Sequence, residues 1–349
     1  MIGVLGWDIG GANVKAARLA PGRGRAGRTS VVSRPFEIWR EKKKLPAVLR
    51  SISAELSGSR NPGAYVVTMT AELSDVFETK REGVSFVLES VQSCFPKIPG
   101  YALNLSGEVW PLSRALESPL DYAATNWVAS ATWVAEKFPG CLLVDVGGTT
   151  TDLVPIVDGR IRTGGRTDMD RLASGELVFT GALRTNLAAV VQSVPVAGRR
   201  CRVASEYFAV SGDVHLILGH LRPRDYTCST PDGRAPSVES ARGRLARLVG
   251  ADAEMLSAAD IDSMARFIAD RQVDQIGGGM RQVLSRFPVL RGGCAVIAGC
   301  GEFLGAAAAR SVGLEPTPPG GGATRAQREV LPSVAAARLL AKHLEAASR

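Results

Sequence analysis

Two segments of the chain share one pattern, and this pattern constrains the fold more than any other feature. In residues 7–15 (WDIGGANVK) and in residues 144–152 (VDVGGTTTD), an apolar strand ends in an aspartate, followed by two glycines, small polar residues and a second apolar strand. Glycine tolerates a positive φ and has no Cβ, so the tip of such a hairpin brings backbone N–H groups against phosphate oxygens. Two tips in separate halves of the chain predict two lobes that close on one phosphorylated ligand.

A third segment, residues 292–305, predicts a buried strand, a glycine turn and an alanine-rich helix. A helix N-terminus behind a glycine turn offers N–H groups and a favourable dipole to an anion or a nucleotide. Each segment alone is also compatible with an ordinary turn of an α/β protein. In this order, the three resemble the phosphate-one, phosphate-two and adenosine motifs of the actin, Hsp70 and sugar-kinase superfamily, and residues 122–135 resemble its connecting helix. The resemblance implies a two-lobed α/β fold with duplicated ribonuclease H-like domains.

The pattern along the chain also predicts its domains. We expect the first lobe at residues 1–125, completed by a C-terminal helix in residues 325–349, and the second lobe at residues 126–324 with an inserted region at about residues 183–270. The tract at residues 315–323, rich in proline and glycine, is predicted to be a linker. The string GRGRAG at residues 22–27 lies between two predicted strands and opens no helix, so we expect no dinucleotide there.

Charged side chains at the tips are the first candidates for chemistry. Asp8 and Asp145 end their strands, where a carboxylate holds a hydrated divalent cation beside phosphate oxygens, and Asp152 is the third predicted ligand. Mg²⁺ is the expected ion. Lys15 lies just beyond the first tip, so its ammonium reaches the oxygens that the tip amides bind.

A second group of residues is expected to contact the phosphates or a nucleotide. Residues 159–186 place repeated arginines beside glycines and acids, which suits an anion pocket and equally a solvated loop. The predicted binding residues are Gly10, Gly11, Asn13, Lys80, Gly147, Gly148, Thr149, Thr150, Thr151, Arg184, Gly299 and Gly301.

The segment TAELSDVFETKREG follows a buried strand, and such strand ends carry the active-site loops of α/β proteins. Glu72 or Asp75 is the predicted general base, and Lys80 or Arg81 the predicted phosphate clamp. The same residues are equally compatible with the capped start of a charged helix, in which Ser74 or Asp75 is the N-cap.

Composition argues against several other classes of protein. No apolar run is long enough to span a membrane, and Asp8 comes too early for a secretory signal, so we expect a cytoplasmic protein with no membrane partner. The net charge of +8 is mostly arginine spread along the chain without interleaved aromatic residues, which favours a polyanionic small substrate over nucleic acid. His215 and His220 lack metal-ligand spacing, and no histidine chemistry is predicted. The sequence predicts no oligomeric state.

Longer strings resemble one family and together cover nearly the whole chain. They are DIGGANVKA, TMTAELSDVFETKREGV, GGTTTDLVPIVDGRI, SGELVFTGALRTN, EYFAVSGDVHLILG and DYTCSTPDGRAPSVESARGRLARLVGAD. They are similar to the hydantoinase/oxoprolinase-related proteins of the tetrahydromethanopterin-linked one-carbon pathway. The arginine-rich composition is typical of a bacterial protein. In a bacterium, we expect the chain to act in the synthesis of methylofuran, the cofactor related to methanofuran.

The resemblance implies a transferase that joins an aminomethylfuran-methyl diphosphate to the phenol oxygen of γ-glutamyltyramine or a tyrosine-type acceptor and releases pyrophosphate. The two tips, a cation and Lys15 would stabilise the leaving pyrophosphate, and Glu72 or Asp75 would accept the phenol proton.

Two other functions stay open. An ATP-dependent small-molecule kinase or ATPase would position Mg–ATP with Asp8, Asp145 and the three threonines of the second tip, and the adenosine-like segment favours it. ATP is a cofactor only under that alternative. A nucleotide-switched module like actin or Hsp70 is disfavoured, because no large peptide-binding domain and no polymerising insertion is evident. ATP turnover would indicate the kinase or ATPase, whereas pyrophosphate release would indicate the transferase.

Overall fold

The computed structural model describes residues 3–21, 28–57, 62–252, 254–320 and 322–347. The glycine-rich string at residues 22–27, for which we expected no dinucleotide, lies outside the described residues. Within the described part, no helix is both long and apolar enough to cross a bilayer. The chain divides into two compact units: unit 1 is Met1–Pro139, Asp158–Ile161 and Gly320–Arg349, and unit 2 is Gly140–Val157 and Arg162–Pro319.

Unit 1 contains a six-stranded sheet formed by β1 (Val4–Ile9), β2 (Asn13–Leu19), β3 (Thr29–Pro35), β4 (Ala64–Met69), β5 (Gly100–Leu103) and β6 (Val109–Pro111). The order across the sheet is β3-β2-β1-β4-β5-β6. β1 is antiparallel to β2 and parallel to β4, and β4 is parallel to β5. β1 and β4 are buried along their whole length, as expected of central strands covered on both faces.

The helices of unit 1 are α1 (Ile38–Glu41), α2 (Leu45–Ser57), α3 (Lys80–Cys94), α4 (Leu112–Glu117), α5 (Asn126–Ala135), α11 (Arg325–Glu329) and α12 (Leu331–Ala347), and this unit also includes the short strand β9 (Arg160–Ile161). On one face of the sheet, Trp7 and Ile9 share a hydrophobic core with side chains of α2 and α3. On the other face, a Cβ at Gly6 would overlap the carbonyl oxygen of Ser333, so a glycine there lets α12 approach β1 closely. α5, which the sequence-based division placed at the start of the second lobe, packs against α12.

Unit 2 contains a sheet formed by β7 (Cys141–Val146), β8 (Thr151–Val157), β10 (Leu177–Val178), β13 (Cys294–Ala298) and β14 (Glu315–Thr317). The order is β10-β8-β7-β13-β14, in which β7 is antiparallel to β8 and parallel to β13. The first five strands of the first sheet and the five strands named for the second therefore share one order across the sheet. Counted along the chain, this order is third, second, first, fourth, fifth, and neighbouring strands have the same parallel or antiparallel relation in both sheets. This repetition confirms the predicted fold class, a two-lobed actin/Hsp70/sugar-kinase-like α/β protein with duplicated ribonuclease H-like domains.

The helices of unit 2 are α6 (Asp168–Ala173), α7 (Ser211–Ile217), α8 (Val238–Arg247), α9 (Ala258–Arg286) and α10 (Glu302–Ser311), and β11 (Ser193–Val196) pairs with β12 (Arg199–Arg202) in a separate hairpin. The predicted inserted region has a hydrophobic core of its own, to which α7, α8 and the first part of α9 contribute. The second part of α9 supplies Ile276 and Met280 to the core of the main sheet. α9 therefore links the insertion to the sheet that carries the second tip.

The predicted linker at residues 315–323 is wrong in its first part. Residues of β14 pair in parallel with β13, with Pro316 opposite Ala295. β14 is the edge strand of its sheet, and an edge strand accepts proline because the missing N–H faces no neighbouring strand.

Candidate functional site: two glycine tips

The first tip joins β1 and β2 through the turn Gly10, Gly11, Ala12 and Asn13. The Gly10 amide donates to the carbonyl oxygen of Asn13 at 2.9 Å. The strand register places Asp8 opposite Lys15.

The peptide groups of this tip have a fixed orientation. The carbonyl oxygens of Gly11 and Ala12 accept hydrogen bonds from the amides of Ile38 and Phe36, both at 3.0 Å. For the amide N–H groups of the same two residues, the structure records no acceptor among the residues it describes. The Gly11 carbonyl shares a peptide plane with the Ala12 N–H, so the hydrogen bond from Ile38 orients the Ala12 donor, and both donors remain available to an anion.

The second tip repeats this arrangement between β7 and β8. The Gly147 amide donates to the carbonyl oxygen of Thr150 at 2.8 Å, and Asp145 lies opposite Asp152. Carbonyl oxygens of this tip also accept hydrogen bonds, here from residues 182–184. The Gly147 carbonyl accepts from the Ala182 amide at 2.9 Å, and the Gly148 carbonyl accepts from the amides of Leu183 and Arg184 at 2.9 and 2.8 Å. Arg184, a predicted binding residue, is thus next to the tip through its backbone.

The amides of Gly148 and Thr149 correspond to those of Gly11 and Ala12. Within the described ranges, the structure records no acceptor for either of them. Each unit therefore presents two adjacent N–H donors at the tip of its first hairpin, which is the arrangement of an anion-binding nest. Thr151 differs from the other threonines, because its buried hydroxyl donates to the carbonyl oxygen of Thr180 at 2.7 Å.

The two tips differ in charge. In the first, the Lys15 Nζ lies 4.0 Å from the Asp8 Oδ2, and the side chains are 24% and 6% exposed. In the second, the position opposite the strand-ending aspartate is the acid Asp152, whose Oδ1 accepts from the Arg171 guanidinium at 2.8 Å. Arg171 is fully buried and also donates to the carbonyl oxygen of Glu176 at 3.1 Å. A basic side chain therefore lies beside one aspartate of each tip: Lys15 beside Asp8 in the first and Arg171 beside Asp152 in the second.

The third segment packs against the second tip. It forms β13, a turn and α10, as predicted. Gly299 has a φ of +90°, and a Cβ on it would lie 2.6 Å from the Asp145 Oδ1, so only glycine suits this position. The Gly301 amide donates to the carbonyl oxygen of Val146 at 2.9 Å, directly before the tip.

The residues at the tips are compatible with Mg²⁺. Among the described residues, no group of three or more histidine, cysteine, aspartate or glutamate side chains is arranged to hold a metal. Mg²⁺ is usually held by only one or two carboxylates, with water and substrate phosphates in the other positions. Asp8 and Asp145 supply carboxylates of that kind, and one oxygen of Asp152 is already engaged by Arg171. The three predicted ligands stay a prediction.

The loop after β4 lies directly against the first tip. A Cβ on Gly10 would lie 3.5 Å from the Thr70 Oγ1, and a Cβ on Gly11 would lie 3.1 Å from the Ser74 Oγ. The loop therefore places two hydroxyl groups beside the first nest. Sequence reasoning missed this proximity, because nothing in the local pattern shows which side chains of the loop face the tip.

The two candidate bases in this loop have different environments. Glu72 is 2% exposed and packs against α3, where a Cβ on Gly83 would lie 2.6 Å from the Glu72 Cα. Asp75 is exposed. Lys80 is the first residue of α3, whose N-cap is Thr79, with its hydroxyl accepting from the Glu82 amide at 3.1 Å. The alternative in which Ser74 or Asp75 caps the helix is therefore wrong, because the helix begins later.

Comparisons with known proteins agree with this architecture. A family model described as hydantoinase/oxoprolinase matches residues 64–343. The chain is 33% identical over 300 residues, 86% of either chain, to the (4-{4-[2-(gamma-L-glutamylamino)ethyl]phenoxymethyl}furan-2-yl)methanamine synthase of Methanocaldococcus jannaschii. It is 34% identical over 162 residues, 46% of this chain and 71% of the relative, to the protein of the same name from Methanococcus vannielii.

Among solved structures, the chain is similar to an acetone carboxylase in its nucleotide-free structure. The TM-score is 0.57 at 11% identity, over 96% of this chain and 70% of the other. At this identity the likeness shows the fold alone.

Proposed function

Since the chain belongs to the hydantoinase/oxoprolinase family, and its named relatives are synthases, we propose that it is a transferase of methanofuran or methylofuran biosynthesis. It joins an aminomethylfuran-methyl diphosphate to the phenol oxygen of γ-glutamyltyramine or a tyrosine-type acceptor. The name of the relatives supports this reaction, because it describes a phenol ether on a furan-bearing methylene. Such an ether forms when a phenol oxygen displaces a leaving group from that methylene.

The reaction breaks one carbon–oxygen bond and forms another. The bond between the methylene and the diphosphate breaks, and pyrophosphate leaves with the electron pair. The furan ring stabilises the positive charge that develops on the methylene. The phenol oxygen then bonds to this carbon, and its proton passes to a carboxylate of the protein.

The single observation that carries the proposal is the pair of oriented nests. Gly11, Ala12, Gly148 and Thr149 each present an amide N–H for which no acceptor is recorded in the described part of the chain. Pre-oriented donors of this kind stabilise charge that develops on a leaving group, because they need no reorganisation during the reaction. Lys15 adds a full positive charge beside the first nest. When bound, Mg²⁺ would neutralise further diphosphate charge, and the residues that would hold it are Asp8 at the first tip or Asp145 at the second.

Glu72 and Asp75 are the proposed acceptors of the phenol proton. Asp75 is exposed and so accessible to a substrate without any change in the loop. Glu72 is buried, so its carboxylate can contact a substrate only when the loop opens. Substituting each residue separately decides between them.

The test uses purified protein, a synthetic aminomethylfuran-methyl diphosphate and tyramine-type phenols. We expect pyrophosphate release only when the phenol is present, together with the aryl ether product by mass spectrometry. ATP hydrolysis without either product would instead support the kinase or ATPase alternative. That alternative is favoured by one observation, the strand, turn and helix of the adenosine-like segment.

A further inference from the structure

Gln272 is a fully buried polar side chain of α9 that contacts the loop behind the second tip. Its Nε2 donates to the Thr180 Oγ1 at 2.8 Å and to the carbonyl oxygen of Gly181 at 3.2 Å. A carbonyl oxygen only accepts, so the NH₂ end of the Gln272 amide must face Gly181. The orientation of this amide is therefore defined by its partners.

The loop that Gln272 holds is the one that orients the second tip. Gly181 packs on the tip so closely that a Cβ would lie 2.6 Å from the Thr149 backbone nitrogen. The next three residues, at positions 182–184, donate the hydrogen bonds that hold the carbonyls of Gly147 and Gly148. A displacement of Gly181 would therefore turn the peptide groups whose N–H donors form the nest.

The other end of the Gln272 amide meets a pair of histidines. Its Oε1 lies 2.9 Å from the His215 Nε2, so that nitrogen must carry a proton. The His215 Nδ1 lies 3.2 Å from the His220 Nδ1. Burial and the neighbouring His220 lower the pKa of His215 to about 3, so His215 is neutral near pH 7. A neutral His215 with its proton on Nε2 accepts at Nδ1, and His220 must then donate from its own Nδ1.

We propose that Gln272 is a positioning residue for the diphosphate site, and that His215 and His220 fix the orientation of its amide. Gln272 does not touch the ligand; it acts through Thr180 and Gly181 on the amides of the second tip. This inference rests on the proposed function, because it assumes that the tip binds a diphosphate.

The test compares Gln272→Met with a matched control, Gln275→Met. Met has a similar length but cannot form these hydrogen bonds. Gln275 lies on the same helix and donates to the carbonyl oxygen of Ala189 at 3.1 Å, away from the tip. With inorganic pyrophosphate and Mg²⁺ as the probe in calorimetry, we expect Gln272→Met to raise the Kd roughly tenfold or more, because small displacements of donors are costly in such sites. Gln275→Met should leave the Kd unchanged.

Two further readouts do not depend on ligand binding. Hydrogen exchange of peptides covering residues 182–184 should accelerate in Gln272→Met and not in the control. The chain has three histidines, so ¹⁵N-histidine labelling resolves the tautomers: His215 should carry its proton on Nε2 and His220 on Nδ1, and the Gln272 substitution should abolish this pattern.

The outcomes separate the two proposals. Wild-type protein that binds no pyrophosphate would overturn the proposed function and this inference with it. Wild-type protein that binds pyrophosphate, together with a Gln272→Met variant of equal affinity, would overturn only the role of Gln272. If Gln272→Met does not fold, Thr180→Val replaces it: this variant removes one acceptor at nearly constant volume, and we expect a smaller increase in Kd of the same origin. An unchanged Kd would again refute the role.

Discussion

Lys15→Ala should separate a contribution to catalysis from a contribution to folding. The Lys15 ammonium is 4.0 Å from Asp8, at the outer limit of an ion pair, and its side chain is 24% exposed. Because the pair is long and the Lys15 ammonium stays in contact with water, we expect it to contribute only about 1 kcal/mol to stability. If Lys15 instead stabilises the leaving diphosphate, its loss should lower kcat by roughly 10²–10³, the range for removing one pre-oriented donor. We therefore expect a large kinetic effect with little change in the free energy of unfolding.

The assay is pyrophosphate release at saturating phenol, paired with urea unfolding of the same samples. Lys44→Ala is the matched control, because Lys44 also pairs with a carboxylate, Glu41 at 2.6 Å, but on the surface away from the tip. A more acidic phenol should not rescue Lys15→Ala, since its defect lies in departure of the leaving group. A loss of kcat of only a few-fold, accompanied by a destabilised fold, would refute the role of Lys15.

The remaining predictions concern the base, a buried ion pair and pH. Glu72→Gln or Asp75→Asn, whichever removes the base, should lower kcat by roughly 10²–10⁴ while pyrophosphate binding survives, and a more acidic phenol should restore the rate. Arg171→Met should destabilise the protein by about 3–5 kcal/mol in urea unfolding, because it removes the buried guanidinium that pairs with the nearly buried Asp152 carboxylate; a change below about 1 kcal/mol would contradict this. His215 has a pKa near 3 in the folded protein against 6.5 unfolded, so the unfolded chain binds the extra proton and stability should fall as pH drops below 6.5. The slope expected from His215 is about 1.4 kcal/mol per pH unit, and His215→Gln should remove this contribution; burial also lowers the pKa of His220, which adds to the slope in the same direction.

The local sequence already contained the elements of the site. The hairpin tips and the strand, turn and helix at β13 and α10 all formed where the pattern predicts them. Each of these depends on residues a few positions apart: alternating apolar side chains, a glycine pair or a helical period. The aspartates Asp8 and Asp145 were therefore found from spacing alone, as was Lys15 just beyond the first tip; that Lys15 lies opposite Asp8 comes from the structure.

The tertiary structure decided what these elements contact. Three sets of contacts join residues that are distant in the sequence. The tip carbonyls accept hydrogen bonds from the amides of residues 36, 38 and 182–184, and Arg171 pairs with Asp152. Gln272 donates to Thr180, which is 92 residues away in the sequence. Nothing in the local pattern indicates that Glu72 is buried while Asp75 is exposed, or that β14 pairs at a sheet edge. Periodicity reports the buried face of an element but not its partner, because the partner is chosen by packing and hydrogen bonding between segments that are distant in the chain.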